Sequence, residues 1–298
     1  GNRSISGDSQ PLYVVDGVPI NGGISSMSPD NIVSINVLKG PNAAALYGSQ
    51  AQNGVIIIET RRGEAGKMNV RVNSTVMMGN PIFLFETQNE YGQGVSGVYN
   101  STSEESWGPR MEGQLVDFWS PDPATAGQQY AFLPQPDNFK GIFETAFNVS
   151  SGINISGGSE KTQTAFSYTR TDAEGLMPNT RLGRHNLTLR LNNKLTDKIS
   201  LDAKVSYMKQ GNDNTNTTGD SQHTNPYRNI YRMPRNIRDA DFRNYFYETA
   251  DGSKKQNYFN PGSTSGKNPY WIMNEVLNFV DSNRLNLLLA VNFDITDD

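Results

Sequence analysis

Two neighbouring runs decide the fold: residues 11–20, PLYVVDGVPI, and residues 34–63, SINVLKGPNAAALYGSQAQNGVIIIETRRG. In the first, Asp16-Gly17 stands between two β-rich stretches. That is a hairpin signal, because glycine accepts the positive φ of a two-residue turn. Ser28-Pro29-Asp30 can then cap and start a helical turn. In the second run, residues 34–38 read as a strand, Gly40-Pro41 opens a short helix over 42–47, and Gly48 ends it. Residues 55–58 are apolar on both faces and are expected to form a strand covered on both sides. Lys39-Gly40-Pro41 before a helix raises the question of a phosphate cradle. The spacing is not that of a P-loop, and no Lys-Ser/Thr pair follows the glycines, so packing explains them better.

These two runs resemble the plug-domain signature of the SusC/RagA family of TonB-dependent transporters. The resemblance rests on Val15, Asp16 and Gly17 in the hairpin. It continues through Val37, Leu38, Lys39, Gly40, Pro41, Ala43, Ala44, Ala45, Leu46, Tyr47 and Gly48, and then Asn53, Gly54, Val55, Ile56, Ile57, Ile58 and Thr60. Gln50 and Gln52 depart from it, where relatives often carry Arg and Ala. The expected fold is mainly β. Residues 1–63 are the C-terminal part of a small α/β plug domain, and residues 64–298 are the first six antiparallel strands of a transmembrane β-barrel.

Beyond the plug-like runs the chain alternates with period two. Met68, Val70, Val72, Val76 and Met78 share one face, and Phe147, Val149, Ile153 and Ile155 do the same. Phe166 and Tyr168 mark a weaker strand. Leu187, Leu189 and Leu191 follow, then Ile199, Leu201, Ala203, Val205 and Tyr207, and last Leu285, Leu287, Leu289, Val291 and Phe293. These lengths suit a tilted membrane strand of about 9–11 residues. With the apolar rows facing lipid, no charge sits in the middle of a row. A slip of one residue turns Arg190 or Lys204 outward, at about 2–4 kcal/mol each near the midplane.

A soluble sandwich alternates as well, and the connections separate the two readings. Those at 157–161 and 196–198 are tight. Those at 80–145, 172–183 and 211–283 are longer, so short and long alternate as they do between the two rims of an outer-membrane barrel. Six strands do not close around a plug, since plugged transporters use about 22. The chain is therefore expected to be a piece of a longer one, with the front of the plug and the TonB-contacting segment outside it.

The two longest connections, at 80–145 and 211–283, are read as extracellular loops. They carry Trp107, Trp119, Tyr227, Tyr231 and Trp271, candidate contacts for substrate or a partner protein. Asn268-Pro269-Tyr270-Trp271 resembles a loop motif of the same family. Arg228, Arg232, Arg235 and Arg238 form a basic cluster, best read as solvated or salt-bridged. Asp213 and Asp220 lack the spacing of a calcium loop.

Composition narrows the function classes. A net charge of -4, from 26 basic and 30 acidic residues, leaves no basic stripe for nucleic acid. With no cysteine and two histidines, thiolate and histidine-rich metal sites are excluded, and no cofactor is expected. No run of ~18 apolar residues is present, which excludes membrane helices but not membrane strands. No nucleophile–base pair or isolated pair of carboxylates marks an enzyme.

The family resemblance implies active import. A barrel in the outer-membrane lipid is blocked by its plug and covered by a SusD-like surface lipoprotein. TonB, with ExbB and ExbD, drives it. The implied cargo is an oligosaccharide, with peptide as a known variation, and paired transporter–lid complexes are common among relatives. The competing reading is a non-transporting outer-membrane barrel or adhesin.

Overall fold

The computed structural model describes residues 10–20, 24, 27–39, 41–215, 217, 219, 221, 223–264 and 266–295. Gly40 and Asp220 lie outside the described residues. The first unit is a sheet of β1 (Leu12–Val15), β2 (Val18–Ile20), β3 (Ile32–Leu38) and β4 (Val55–Thr60). Its order is β2-β1-β4-β3, with β1 parallel to β4 and the other pairings antiparallel. The hairpin turns where Asp16-Gly17 demands it, with φ of 50° and 84° at the two residues. A parallel pair needs a long return, and β3 with helix α1 (Pro41–Tyr47) supplies it. Gly48, at φ 68°, ends the helix.

Ala43 and Ala51 lie against Val14 and Val55 in the small core of this unit, with Leu12, Leu38, Tyr47 and Ile57 packed around them. The cover expected over β4 is complete at Val55 and Ile58 and partial at Ile56 and Ile57. The strand expected at 34–38 starts two residues earlier, because Ile32 already pairs with Thr60.

The second sheet opens with β5 (Gly66–Gly79). The connection after it carries two small hairpins, β6 (Gly94–Val95) with β7 (Val98–Tyr99) and β8 (Leu115–Asp117) with β9 (Gln129–Ala131). Then come β10 (Ala146–Gly158), β11 (Thr162–Glu174), β12 (Arg181–Lys194) and β13 (Ile199–Asp213). The next connection holds α2 (Pro226–Tyr231), α3 (Asp239–Arg243), the hairpin β14 (Phe246–Glu248)–β15 (Lys254–Gln256) and α4 (Pro269–Glu275). The chain returns as β16 (Phe279–Phe293). The sheet order is β16-β13-β12-β11-β10-β5, antiparallel throughout.

All six apolar rows fall on one side of this wall. Val72, Leu287 and Leu289 are 73%, 71% and 75% exposed, whereas Thr169 and Arg190 on the opposite side are 3% and 1% exposed. Arg190 and Lys204 thus face inward, the register that keeps charge out of the lipid-facing band. The strands run 13 to 15 residues, longer than the apolar rows alone. On β11 and β12 the extra length is a polar ladder beyond the band. Asp172 is paired with Arg170 along β11 and Glu174 with Arg181 across to β12, and the ladder runs to Glu174 opposite Arg181, so the connection shortens to residues 175–180.

The long connections are folded. Trp119, Phe139 and Ile142 of one and Ile230, Met233, Ile237, Phe242, Tyr258, Phe259, Tyr270 and Met273 of the other share a single core, joined by Met177. Arg235 ties the two together. Its buried guanidinium donates to Asn89 and Asn138 and to the carbonyls of Gln88, Gln135 and Pro136. Asn268 caps α4 through Tyr270 N–H and donates to the carbonyls of Phe242 and Asn257.

Candidate functional site: the seat of the first unit on the wall

Arg190 on β12 and Lys204 on β13 are direct cross-strand partners on the inner face. Two cations in that position repel unless acids stand between them. One acid comes from the wall: Asp202 takes the Arg190 guanidinium in a fork, at 2.9 and 2.6 Å. The other comes from the hairpin of the first unit. Asp16 receives Lys204 Nζ at 2.7 Å and Arg190 Nη1 at 3.2 Å. Its side chain is 2% exposed and Arg190's 1%.

Thr60, at the end of β4, completes the cluster. Its N–H donates to Asp16 Oδ1 at 2.9 Å and its hydroxyl to Oδ2 at 2.7 Å. The same hydroxyl oxygen accepts from Lys204 at 3.0 Å and Arg190 at 3.1 Å. The pairing of Val15 with both Val18 and Ile58 brings the turn beside the end of β4, so the fold itself presents Asp16 to Thr60. Burial pushes the Asp16 carboxyl up, but the hydrogen bond and charge of Lys204 and both bonds from Thr60 outweigh it. Its pKa falls to about 2.

Further hydrogen bonds extend the seat along the wall. Ser28 donates to Thr169 at 3.1 Å, Asn31 to Thr188 at 3.4 Å, and Asn73 to Asp30 at 2.8 Å. A cleft of about 520 Å³ remains between Pro19, Ile20 and Met27 on one side and Thr169, Thr188, Ser206 and Asn286 on the other. Among the described residues the interface is therefore polar, with its buried charges Asp16, Arg190, Lys204 and Asp202 paired. It can hold the first unit in place, and among the described residues its direct hydrogen-bonded contacts with the wall are polar.

The residues singled out in the sequence fall in several places. Gly17, Gly48 and Gly54 occupy positive φ, and a Cβ at Gly54 would press on the Leu38 carbonyl at 3.0 Å. Pro41 is the first residue of α1, Tyr47 packs on the small core, Asn53 donates to the Gln10 carbonyl, and Lys39 is exposed. The loop aromatics are not gathered into one surface. Trp107 and Tyr231 are exposed, Tyr227 packs near Phe143, and Trp271 packs near Tyr245. Trp119 is 2% exposed, which corrects its reading as a contact residue: Phe118, Phe242 and Phe259 enclose its ring. The arginine cluster is spent on structure, with Arg232 on Glu104, Arg238 on Asp241, and Arg235 between the loops.

Sequence reasoning turned Arg190 and Lys204 inward without assigning them a partner, and it missed Thr60 and Asp202. The available signal was the pair of inward cations on adjacent strands, which demands a counter-charge from whatever fills the lumen.

A small α/β unit seated by a buried charge cluster on the inner face of an antiparallel, lipid-facing wall defines a plugged outer-membrane barrel. Comparison with known proteins agrees. Residues 2–55 match the TonB-dependent Receptor Plug Domain family. The chain is 28% identical over 200 residues to the TonB-dependent receptor SusC of Bacteroides thetaiotaomicron, covering 64% of this chain and 18% of the relative. It is 26% identical over 210 residues to the TonB-dependent receptor P26 of Formosa agariphila, covering 70% of this chain and 20% of that one. In fold it superposes on a chain of the RagAB peptide importer in its closed-closed state with a TM-score of 0.64 and 18% identity, over 100% of this chain and 34% of the other. The chain thus carries a match to the plug domain of TonB-dependent receptors, is similar to SusC and to outer-membrane β-barrel receptors of that kind, and spans about a fifth of the length of these curated relatives.

Proposed function

We propose that the whole protein imports a nutrient across the outer membrane under the drive of TonB, ExbB and ExbD. A SusD-like lipoprotein covers its outer mouth. The cargo class is oligosaccharide, supported by the similarity to SusC; peptide is the second class, because the solved neighbour is a peptide importer. The observation that carries this reading is the polar seat of the plug unit, centred on Asp16 between Arg190 and Lys204. Such a seat blocks the lumen at rest and yields to a local pull, while the ladder of the wall stays intact.

The test is a deletion of the gene in its native host, with growth compared on a panel of polysaccharides and peptides as sole nutrient. Loss of growth on one class, reproduced by deleting TonB, supports the importer and names the cargo. Undiminished growth on every member of the panel sinks it and favours the adhesin reading. Mass spectrometry of the protein drawn gently from native membranes reports on the lid separately, through a co-purifying surface lipoprotein.

A further inference from the structure

On β11, β12 and β13 the outward face of the wall changes character at one level, while on β5 and β10 the apolar row runs on through Val76, Val149, Met78 and Phe147. Register lines up Ile153, Tyr168, Leu187, Tyr207 and Leu285 across β10, β11, β12, β13 and β16. Two residues further from the short turns, it lines up Ser151, Arg170, His185, Lys209 and Asn283. Side chains two apart share a face, so Arg170, His185 and Lys209 stand side by side on the lipid-facing surface. They occupy three adjacent strands, immediately beyond the aromatic edge of the apolar band. The long loops place this edge at the outer leaflet.

Neighbouring strands lie about 4.8 Å apart, so Arg170 and Lys209 flank His185 across roughly 10 Å. Side chains of that length converge readily on one phosphate. The His185 ring is held by its Nδ1 against the Tyr168 hydroxyl at 2.8 Å, so Nδ1 is engaged on the sheet. Arg170 is braced by Asp172 at 2.6 and 2.8 Å and remains 54% exposed. Lys209 is exposed and makes no hydrogen bond or ion pair with the described residues. The acids of this face lie further out. Asp172 and Asp281 are in the next row, and Glu174 and Asp213 with Arg181 are in the one after. Cations at the band edge and carboxylates beyond it match a layer of anionic headgroups at the edge and water above.

We propose that Arg170, His185 and Lys209 form a binding site for the phosphorylated headgroup of an outer-leaflet lipid. The site is independent of the cargo. It uses charge-assisted bonds from fixed positions on a rigid sheet.

The test uses the full-length protein, stripped of lipid in detergent and titrated with purified diphosphoryl lipid A or its enzymatically dephosphorylated form, with bound lipid read by native mass spectrometry. The phosphorylated form is expected to bind about tenfold tighter, and the variant carrying Arg170→Gln, His185→Gln and Lys209→Gln to lose that preference while its barrel stays heat-modifiable on gels. Lys209→Gln alone leaves the Arg170–Asp172 brace in place and is expected to lower the preference about threefold. It supplies the readout should the triple variant fail to fold. Equal binding of the two lipids, an unchanged preference in the folded triple variant or in Lys209→Gln, or displacement of the lipid by millimolar inorganic phosphate each overturns the proposal.

Discussion

Removing the Asp16 carboxylate takes from Lys204 its charged partner and from Arg190 one of its two acids. Asp16→Asn in the full-length protein is therefore expected to weaken the seat by about 3–5 kcal/mol, the cost of leaving a buried charge unpaired. Channel openings of the purified protein in planar bilayers report it, and they should become more frequent. Adding Lys204→Gln should recover part of the loss, since neutralising both partners costs less than stranding one. Acid should act through the same carboxyl. The ordinary value of 3.8 falls to about 2 in the folded protein, so the stabilisation is complete above about pH 4 and fades as pH falls toward 2. The denaturant midpoint for plug release should hold steady down to about pH 4 and then drop, and in Asp16→Asn this drop should be absent.

At the scale of elements, the wall and the loops predict different failures. Leu189→Arg puts a charge into the apolar row beside inward-facing Arg190 and should cost about 2–4 kcal/mol of stability in lipid. Refolding into vesicles, followed by the heat-modifiable band, measures it. Arg235→Ala leaves Asn138 Oδ1 and three carbonyls without their charged donor and should loosen the loop unit by about 3 kcal/mol. Protease added to intact cells should then cut the segments around 80–145 and 214–278 while the wall survives.

The six strands were legible because period-two rows such as Leu285, Leu287 and Leu289 mark one apolar face in the sequence. The plug helix was legible because Gly40-Pro41 and Gly48 bracket it. The loop core was not. Its residues, Trp119 and Met273 among them, come from segments far apart in the chain that show no period. The seat was half legible. Arg190 and Lys204 pointed inward by parity, but only the fold reveals that Asp16 and Thr60 meet them.

For the whole molecule, the proposed import requires that the plug unit move relative to the wall. These 298 residues contain no cysteine, so a single engineered disulfide in a full-length protein freed of any other cysteine can test this. Ser28 and Thr169 face each other across the seat, their hydroxyl oxygens 3.1 Å apart. Replacing both with cysteine in the full-length protein should bridge plug to wall on oxidation. The decisive measurement is uptake by cells carrying this variant, oxidised and then reduced. The account predicts that uptake stops when the bridge forms and returns with reductant. Uptake that continues undiminished with the bridge formed in every molecule would contradict it.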